Sequence, residues 1–592
     1  MKRLTTILCF VLCTISATAQ VVITGQVREL SSGKGVSDVN VMLQNPTRTV
    51  LYSYTISDVE GNYSVTYDGD ASALEVVITG FNIKGQSRTI NAQSQRVDFE
   101  VEYSDLEIKE VVVRAASVER RSDTLTYNVA SFITISDHSI GDVLRRMPGI
   151  SVGDEGDIKY NGKPINKLYI EGMDMLGGKY GIAINNIQAK DIARVELYEN
   201  HEPVKALRGA TMPTTAAINI RLKESAKGTW SGTAQLGGGY KPWMWNGELS
   251  VMYFGKRFQT ISIYKTNNMG DDVSREFRSH YGGFGGVSTM LGVHRPTAPN
   301  ITESRYLDNN IHAVSLNAIT KLNDDLGLSC NANYIHDLRQ ADGSSITTYY
   351  MPESQPVVIT ERTSVGMLAD RCDLALTLSS NTEKHYLSEK LSFGGEWNRD
   401  RGVVDSDGDR VSQYFKLPTI SMSNNLYDVH RWEEWVLNFN SDISYDTQPA
   451  QLEIRPMLYK GILDGDAEYP NAIQTLYNKR LIARNHLSTS LKLGRWNIML
   501  STQVNADVEQ MESSLNAAND ISDKLATAPA LRNDILYSRL DFVLTPSLQY
   551  SLGSRLMVQA DLPLDLMWLY SEDRVRNSTT ENALKLLCEP QL

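Results

Sequence analysis

Cysteine is scarce, with five in 592 residues. Cys9 and Cys13 lie in the first twenty residues, which leaves Cys330, Cys372 and Cys588 scattered over the rest. That distribution gives no disulfide framework and no cysteine spacing for a metal. Long apolar runs are missing too. After the first twenty residues none approaches the ~20 residues that a membrane helix needs. There is no basic excess: 58 Lys and Arg stand against 70 Asp and Glu, a net charge of −12. General nucleic-acid binding, which needs a basic footprint, is thereby excluded. No Ser/His/Asp or Cys/His arrangement has a supporting context, so neither an enzyme nor a cofactor is expected.

The missing apolar runs do not exclude a membrane barrel. Barrel strands alternate apolar-out and polar-in, so their average resembles that of a soluble protein, as the mean hydropathy of −0.29 does here. Tyrosine outnumbers phenylalanine, 28 to 12. That ratio suits an aromatic girdle at a membrane interface, and equally any β-rich protein.

The N-terminus reads as a secretion signal over residues 1–19. Lys2 and Arg3 form its charged start, Ile7 to Ile15 its apolar core and Ala17-Thr18-Ala19 its cleavage site. Maturation is expected at Gln20.

Residues 20–103 show short β-prone runs between turn residues, among them Val21-Val22-Ile23-Thr24 and Tyr63-Ser64-Val65-Thr66-Tyr67. Gly25-Gln26-Val27, Val36-Ser37-Asp38-Val39-Asn40-Val41, Ser57-Asp58-Val59-Glu60-Gly61-Asn62-Tyr63 and Gly80-Phe81 together resemble the carboxypeptidase-regulatory-like domain. The resemblance implies an Ig-like β-sandwich accessory module without catalytic activity. Residues 104–122 read as a linker.

Residues 123–224 read as a compact α/β unit. Asp137 or Ser136 can cap a helix whose apolar positions Ile140, Val143, Leu144 and Met147 follow helical spacing, and Pro148-Gly149 ends it. Strand candidates follow at residues 157–160 and 167–171, with Asn161-Gly162 as a hairpin-type turn. Gly177-Gly178-Lys179-Tyr180-Gly181 reads as a flexible loop. The last strand alternates Ile218, Ile220 and Leu222 against Asn219, Arg221 and Lys223.

A helix ending in Pro-Gly, a strand ending in Glu171-Gly172 and a closing Ile218-Asn219-Ile220 strand resemble, in order, the plug domain of TonB-dependent outer-membrane receptors. One departure stands out. The family often has Arg-Gly-Pro after its Arg-Val-Glu strand, whereas Tyr198-Glu199-Asn200-His201 stands here and Leu207-Arg208-Gly209 comes later. In that family a segment similar to Glu110-Val111-Val112-Val113 forms the TonB box. The resemblance therefore implies that Leu106, Glu110, Val111, Val112 and Val113 pair with a TonB-type energy-transducing protein in the periplasm by adding a strand to its sheet. The same residues also read as the last strand of the sandwich. For the plug, Glu171, Gly172, Gly177 and Lys179 are the expected ligand-facing positions.

From residue 228 to 592 the pattern changes to long alternating strands. Leu326, Leu328, Cys330, Ala332 and Tyr334 oppose Gly327, Ser329, Asn331 and Asn333. Leu487, Thr489, Leu491 and Leu493 repeat this, as does one long run from Leu556 to Trp568. One apolar and one polar face suit a strand with lipid outside and water inside. Connections alternate long and short: residues 268–310 and 512–534 are long, residues 254–257, 323–325, 381–385 and 553–555 short. Outer loops of membrane barrels are long and periplasmic turns short. Thirteen to fifteen strands fall short of the about 22 of plugged transporters. No final strand with a terminal aromatic is visible, which reads as a truncated or split gene product.

Three patterns tempt a chemical reading. His430-Arg431-Trp432-Glu433 has a zinc-like His-x-x-Glu spacing, at what reads as the start of a strand, with nothing nearby to complete it. Asp405-Ser406-Asp407-Gly408-Asp409 resembles the opening of a calcium loop, but Lys416 stands where the bidentate Glu is needed. A solvated turn is the better reading. Tyr281-Gly282-Gly283-Phe284-Gly285-Gly286 lacks the Lys-Ser/Thr ending of a phosphate loop and reads equally as a ligand-closing or a bare surface loop. No metal site is expected.

The fold expected is mainly β: an Ig-like sandwich, a small α/β plug and a partial antiparallel transmembrane β-barrel. The resemblance implies a receptor in the cell outer membrane that imports an extracellular nutrient. Its partners would be outer-membrane lipids, the TonB-type protein and a surface lipoprotein. The alternatives are a non-transporting surface or adhesion protein and a nonfunctional fragment. Siderophores, glycans, peptides and cobalamin are all open as cargo.

Overall fold

The computed structural model describes residues 21–103, 117–153, 156–209, 211, 213–280, 290–351, 355–433, 435–458, 469–518, 529–552 and 556–588. The expected secretion signal, the segment Leu106, Glu110, Val111, Val112 and Val113, and the glycine-rich run at 281–286 lie outside these residues.

Eight strands open the chain: β1 (Val21–Glu29), β2 (Asn40–Gln44), β3 (Leu51–Ile56), β4 (Asn62–Tyr67), β5 (Ala73–Thr79), β6 (Gln86–Asn91), β7 (Gln95–Arg96) and β8 (Phe99–Val101). They form two four-stranded sheets. One has β1 paired with β4, β7 and β8, and the other has the order β3-β2-β5-β6. Alternation explains the packing. Tyr63, Val65 and Tyr67 of β4 are buried while Asn62, Ser64 and Thr66 are exposed. Those inward residues share one core with Ile23, Val27, Val41, Leu43, Val76 and Phe99.

The next unit is a five-stranded mixed sheet. It is built from β9 (Val118–Arg121), β10 (Thr124–Asn128), β14 (Lys167–Ile170), β15 (Ile192–Tyr198) and β16 (Ala217–Leu222), in the order β14-β16-β15-β10-β9. Strand β9 lies in the stretch expected to be linker; it belongs to this sheet because it pairs antiparallel with β10. A smaller sheet joins β11 (Ile150–Val152), β12 (Ile158–Tyr160) and β13 (Lys163–Pro164). Asn161 and Gly162 both have positive φ, 48° and 78°, so the expected two-residue turn forms between β12 and β13.

The first helix is Ile140–Leu144, and its cap is Ser139 rather than Asp137 or Ser136. Asp142 reaches back to the Ser139 N–H at 3.0 Å. Asp137 is engaged elsewhere, with Arg146 and the Thr134 N–H. The stretch 177–181 is not an open loop. Gly177 and Gly178 turn with positive φ, and Tyr180 begins a second helix, Tyr180–Asn186, with Tyr180 and Gly181 buried.

The remainder is one 15-stranded antiparallel sheet, in chain order apart from β29. Its first five strands are β17 (Trp230–Gly239), β18 (Met244–Phe254), β19 (Phe258–Asn267), β20 (Asp308–Lys321) and β21 (Leu326–Tyr349). Then come β22 (Val357–Asn381), β23 (His385–Ser406), β24 (Asp409–Trp432), β25 (Trp435–Arg455) and β26 (Asn471–Leu493). The last five are β27 (Trp496–Ala518), β28 (Arg532–Leu552), β29 (Leu556–Asp561), β30 (Leu564–Asp573) and β31 (Ser578–Cys588). The run from Leu556 to Trp568 is thus two strands, both paired with β28. The break carries Pro563, which has no N–H for a ladder.

The two expected long connections are present with shifted bounds, but the rhythm is not regular: on the same edge β23 and β24 are joined by Asp407 and Gly408 alone. The connection after β19 covers residues 268–307, and that after β27 covers 519–531 because both flanking strands run further than expected. The short connections after β18, β20, β22, β24 and β26 share one edge of the sheet.

The mixed unit sits on one face of this sheet. Its core, including Tyr127, Ile140, Ile182 and Ile218, runs without a break into Met252, Phe254, Ile261, Ile263, Ile311, Ala313 and Ile335 of β18 to β21. On β21 the polar residues turn inward: Ser329, Asn331 and Asn333 are buried, whereas Leu328 is 36% and Tyr334 44% exposed. The inner face is therefore covered and carries buried polar residues among its apolar contacts, whereas the outer face of this strand is largely apolar and bare. This inversion is what a soluble sheet avoids and a lipid-covered one needs. Cys330 lies on the outer face beside Ala318 and Leu376.

Candidate functional site

Beside these apolar contacts, the inner face meets the mixed unit through side chains that satisfy its backbone. Asn331 donates to the Met175 carbonyl at 2.9 Å. Gln259 donates to the Ile170 carbonyl at 3.3 Å. Asn381 accepts from the Lys205 N–H at 2.9 Å and donates to the Pro203 carbonyl at 2.7 Å. Arg431 donates to the carbonyls of Ala206 and Arg208 at 3.0 and 2.8 Å. Polar side chains placed at every second position of long strands can do this; an apolar lining would leave irregular backbone without partners.

The connection between β19 and β20 folds back over the mixed unit. Its 3-10 turn Val273–Phe277 brings Glu276 to Lys265 at 2.7 Å, and Glu248 approaches the same ammonium at 3.2 Å. Asn186 of the second helix also donates to Glu276. His280 stacks on Tyr180 with ring centroids 5.1 Å apart, and its N–H donates to the Gly178 carbonyl. Gly181 is required there, because a Cβ would stand 2.7 Å from the Glu276 carbonyl oxygen.

Further along, Leu291 and Val293 pack with Val365, Phe415 and Leu417 of the inner wall. Arg295 pairs with Asp400 at 2.7 Å. The connection thus crosses the inner face of β22 to β24 on the side of the long connections. Arg339 ties its base down through Asp272 at 3.0 Å, and Asp337 on the same strand holds the guanidinium at 2.7 Å.

The four positions expected to face a ligand separate into two groups. Glu171 and Gly172 lie near the short-connection edge. Glu171 accepts the Leu222 N–H at 2.6 Å and pairs with Lys227 at 3.3 Å and Arg221 at 3.6 Å. Gly172 donates to the Asn219 amide oxygen. Gly177 and Lys179 lie deeper, against β21 to β23. Gly177 faces Asn331 and accepts from Ser279. The Lys179 ammonium lies against the Asn333 amide. Burial pushes its pKa down to about 8, with Lys390 adding repulsion and Asp373 opposing it.

His201 is held by the Thr215 carbonyl and the Asn166 amide. Burial, with Arg208 and Lys167 nearby, lowers its pKa to about 4.

The two tempting acidic and histidine patterns resolve differently. Asp407 and Gly408 form the tight turn between β23 and β24, and Asp405 accepts the Gly408 N–H at 3.0 Å. His430 lies at the end of β24, not at the start of a strand, and Glu433 stays outside its cluster. Its neighbours are instead His385, directly opposite on β23, and Asp428, two residues earlier on the same face. Sequence reading missed both, because the first needs the strand register. The i, i+2 spacing of Asp428 and His430 was the one available signal.

No family model matches the chain, and no curated protein matches it. Solved structures do. The ferric yersiniabactin uptake receptor FyuA from Yersinia pestis is 9% identical, with 78% of this chain and 89% of that chain covered and a TM-score of 0.27. The siderophore receptor PiuA from Acinetobacter baumannii is 11% identical, with 77% and 78% covered and a TM-score of 0.28. The ferric-catecholate import receptor Fiu from E. coli K12 is 12% identical, with 78% and 92% covered and a TM-score of 0.21.

Proposed function

We propose that this chain is a TonB-dependent receptor of the outer membrane that imports an extracellular nutrient. The observation that carries the reading is the mixed unit packed on the covered inner face of a sheet whose outer face is largely apolar and bare. A folded unit in that place acts as a plug: it covers the inner face along which cargo would pass. Asn381 and Arg431 hold it at the short-connection edge.

Cargo enters from the side of the long connections, under the segment that includes Arg295 and above Lys179. An anionic or chelating cargo suits that lysine. Opening the plug takes work, and the outer membrane has no nucleotide supply. A periplasmic TonB-type partner supplies it by pairing with residues 110–113 and pulling. Outer-membrane lipids cover the apolar face.

The test is uptake by cells carrying the full chain, against a panel of ferric siderophores, glycans, peptides and cobalamin. At least one is expected to accumulate, and accumulation should stop when a protonophore collapses the inner-membrane gradient or when residues 106–114 are deleted. Accumulation that survives both treatments would refute energised import. No accumulation of any cargo would favour a non-transporting surface protein.

A further inference from the structure

The structure assigns a site to the outer face of the β23–β24 pair, near its short-connection end. Asp428 and His430 share that face because strand side chains alternate. His385 stands opposite His430 in the ladder. One carboxylate serves both imidazoles: His385 Nε2 lies 2.8 Å from Asp428 Oδ1, and His430 Nε2 lies 3.0 Å from Oδ2. The two imidazole rings stack with centroids 4.3 Å apart, and Trp432 stacks on His430 at 5.5 Å. All three ligand atoms lie within 4.8 Å of one another. Metal–ligand bonds of ~2.0–2.1 Å put tetrahedral ligand atoms roughly 3.3 Å apart, so small rotations suffice.

We propose that His385, His430 and Asp428 bind one divalent first-row transition ion, with at least one coordination position left open. Two imidazoles and a single carboxylate select the zinc, nickel and copper class over calcium and magnesium, which prefer all-oxygen shells. The surroundings favour retention. Leu387, Leu437 and Phe439 are the ladder partners of Asp428 and His430, so the site has an apolar rim.

The location gives the ion a consequence. Arg431, adjacent to His430, faces the other way and holds the plug through Ala206 and Arg208. Val429 packs inward on Val204. An ion on the outer face would fasten the end of β24, which grips plug residues 204–208, to the start of β23.

The experiment titrates the full chain in detergent micelles with Co2+, following its visible ligand-field absorption, and displaces it with Zn2+. One equivalent is expected, with at least tenfold weaker binding in Asp428→Asn and none in the His385→Ala, His430→Ala double variant. His430→Gln, which keeps a hydrogen bond to Asp428, is the variant chosen to preserve folding. Zn2+ should raise the unfolding midpoint of the native chain and leave that of His430→Gln unmoved. Absence of the absorption in the native chain, or equal binding or an equal midpoint shift in the variants, would overturn the proposal.

Discussion

Asn381, the last residue of β22, hydrogen-bonds the Lys205 N–H at 2.9 Å, and its amide also donates to the Pro203 carbonyl. One side chain of the wall thus satisfies a donor and an acceptor of plug backbone 176 residues away in sequence. Asn381→Ala leaves both groups without that partner, at about 1–3 kcal/mol for a buried polar group left unsatisfied. Limited proteolysis should then cut faster within residues 203–211, while the mobility of the folded sheet on gels stays the same. An unchanged cleavage rate would contradict the role given to Asn381.

Lys265 is 4% exposed and is the shared cation of Glu276 and Glu248. Lys265→Met leaves two carboxylates facing each other in a covered place. Removing one partner of a buried pair costs about 3–5 kcal/mol. The connection at residues 268–307 should become protease-sensitive in this variant, and less so in Glu276→Gln, which keeps an acceptor oxygen for the Asn186 amide. Equal protection in both would show that the ion pair does not hold the connection down.

His201 has a folded pKa of about 4, below the 6.5 of an exposed histidine, because burial disfavours its charged form. Between those values the unfolded chain binds the proton and the folded chain does not. Stability is therefore lost as pH falls from 6.5 towards 4 and regained as it rises. The thermal midpoint of the plug should drop over that window, and the drop should shrink in His201→Gln. A pH response identical in the variant would assign the effect to other groups.

Leu374 lies on the outer face, 38% exposed, between Ala332 and Phe393 of its neighbouring strands. Leu374→Arg should cost about 2–4 kcal/mol in a denaturant titration in lipid vesicles, the range for a cation at mid-depth on a barrel's lipid face. A change within about 0.5 kcal/mol, the usual size at a water-facing position, would place this face in water.

Much of this architecture is legible because strand alternation and turn residues are local. Asn161-Gly162 fixes a two-residue turn, and Leu328 against Asn331 fixes which face is bare. What stays hidden depends on register or on return of the chain. His385 and His430 meet only because β23 and β24 pair with one tight turn at Asp407-Gly408. Glu276 reaches Lys265 because a connection folds back over the plug. Lys179 reads as part of a loop, although Tyr180 after it starts a helix seated on that same connection. The segment with Val112 is the opposite case, a short β-prone run whose proposed role rests on a second protein.

The most direct test of energised import is therefore binding of a purified periplasmic TonB-type domain to the full chain in detergent, native against Val112→Pro. Proline removes a backbone donor and blocks pairing in a strand. The account predicts specific binding by the native chain, weakened at least tenfold by the substitution. Equal binding by both chains, or none by the native chain, would contradict it.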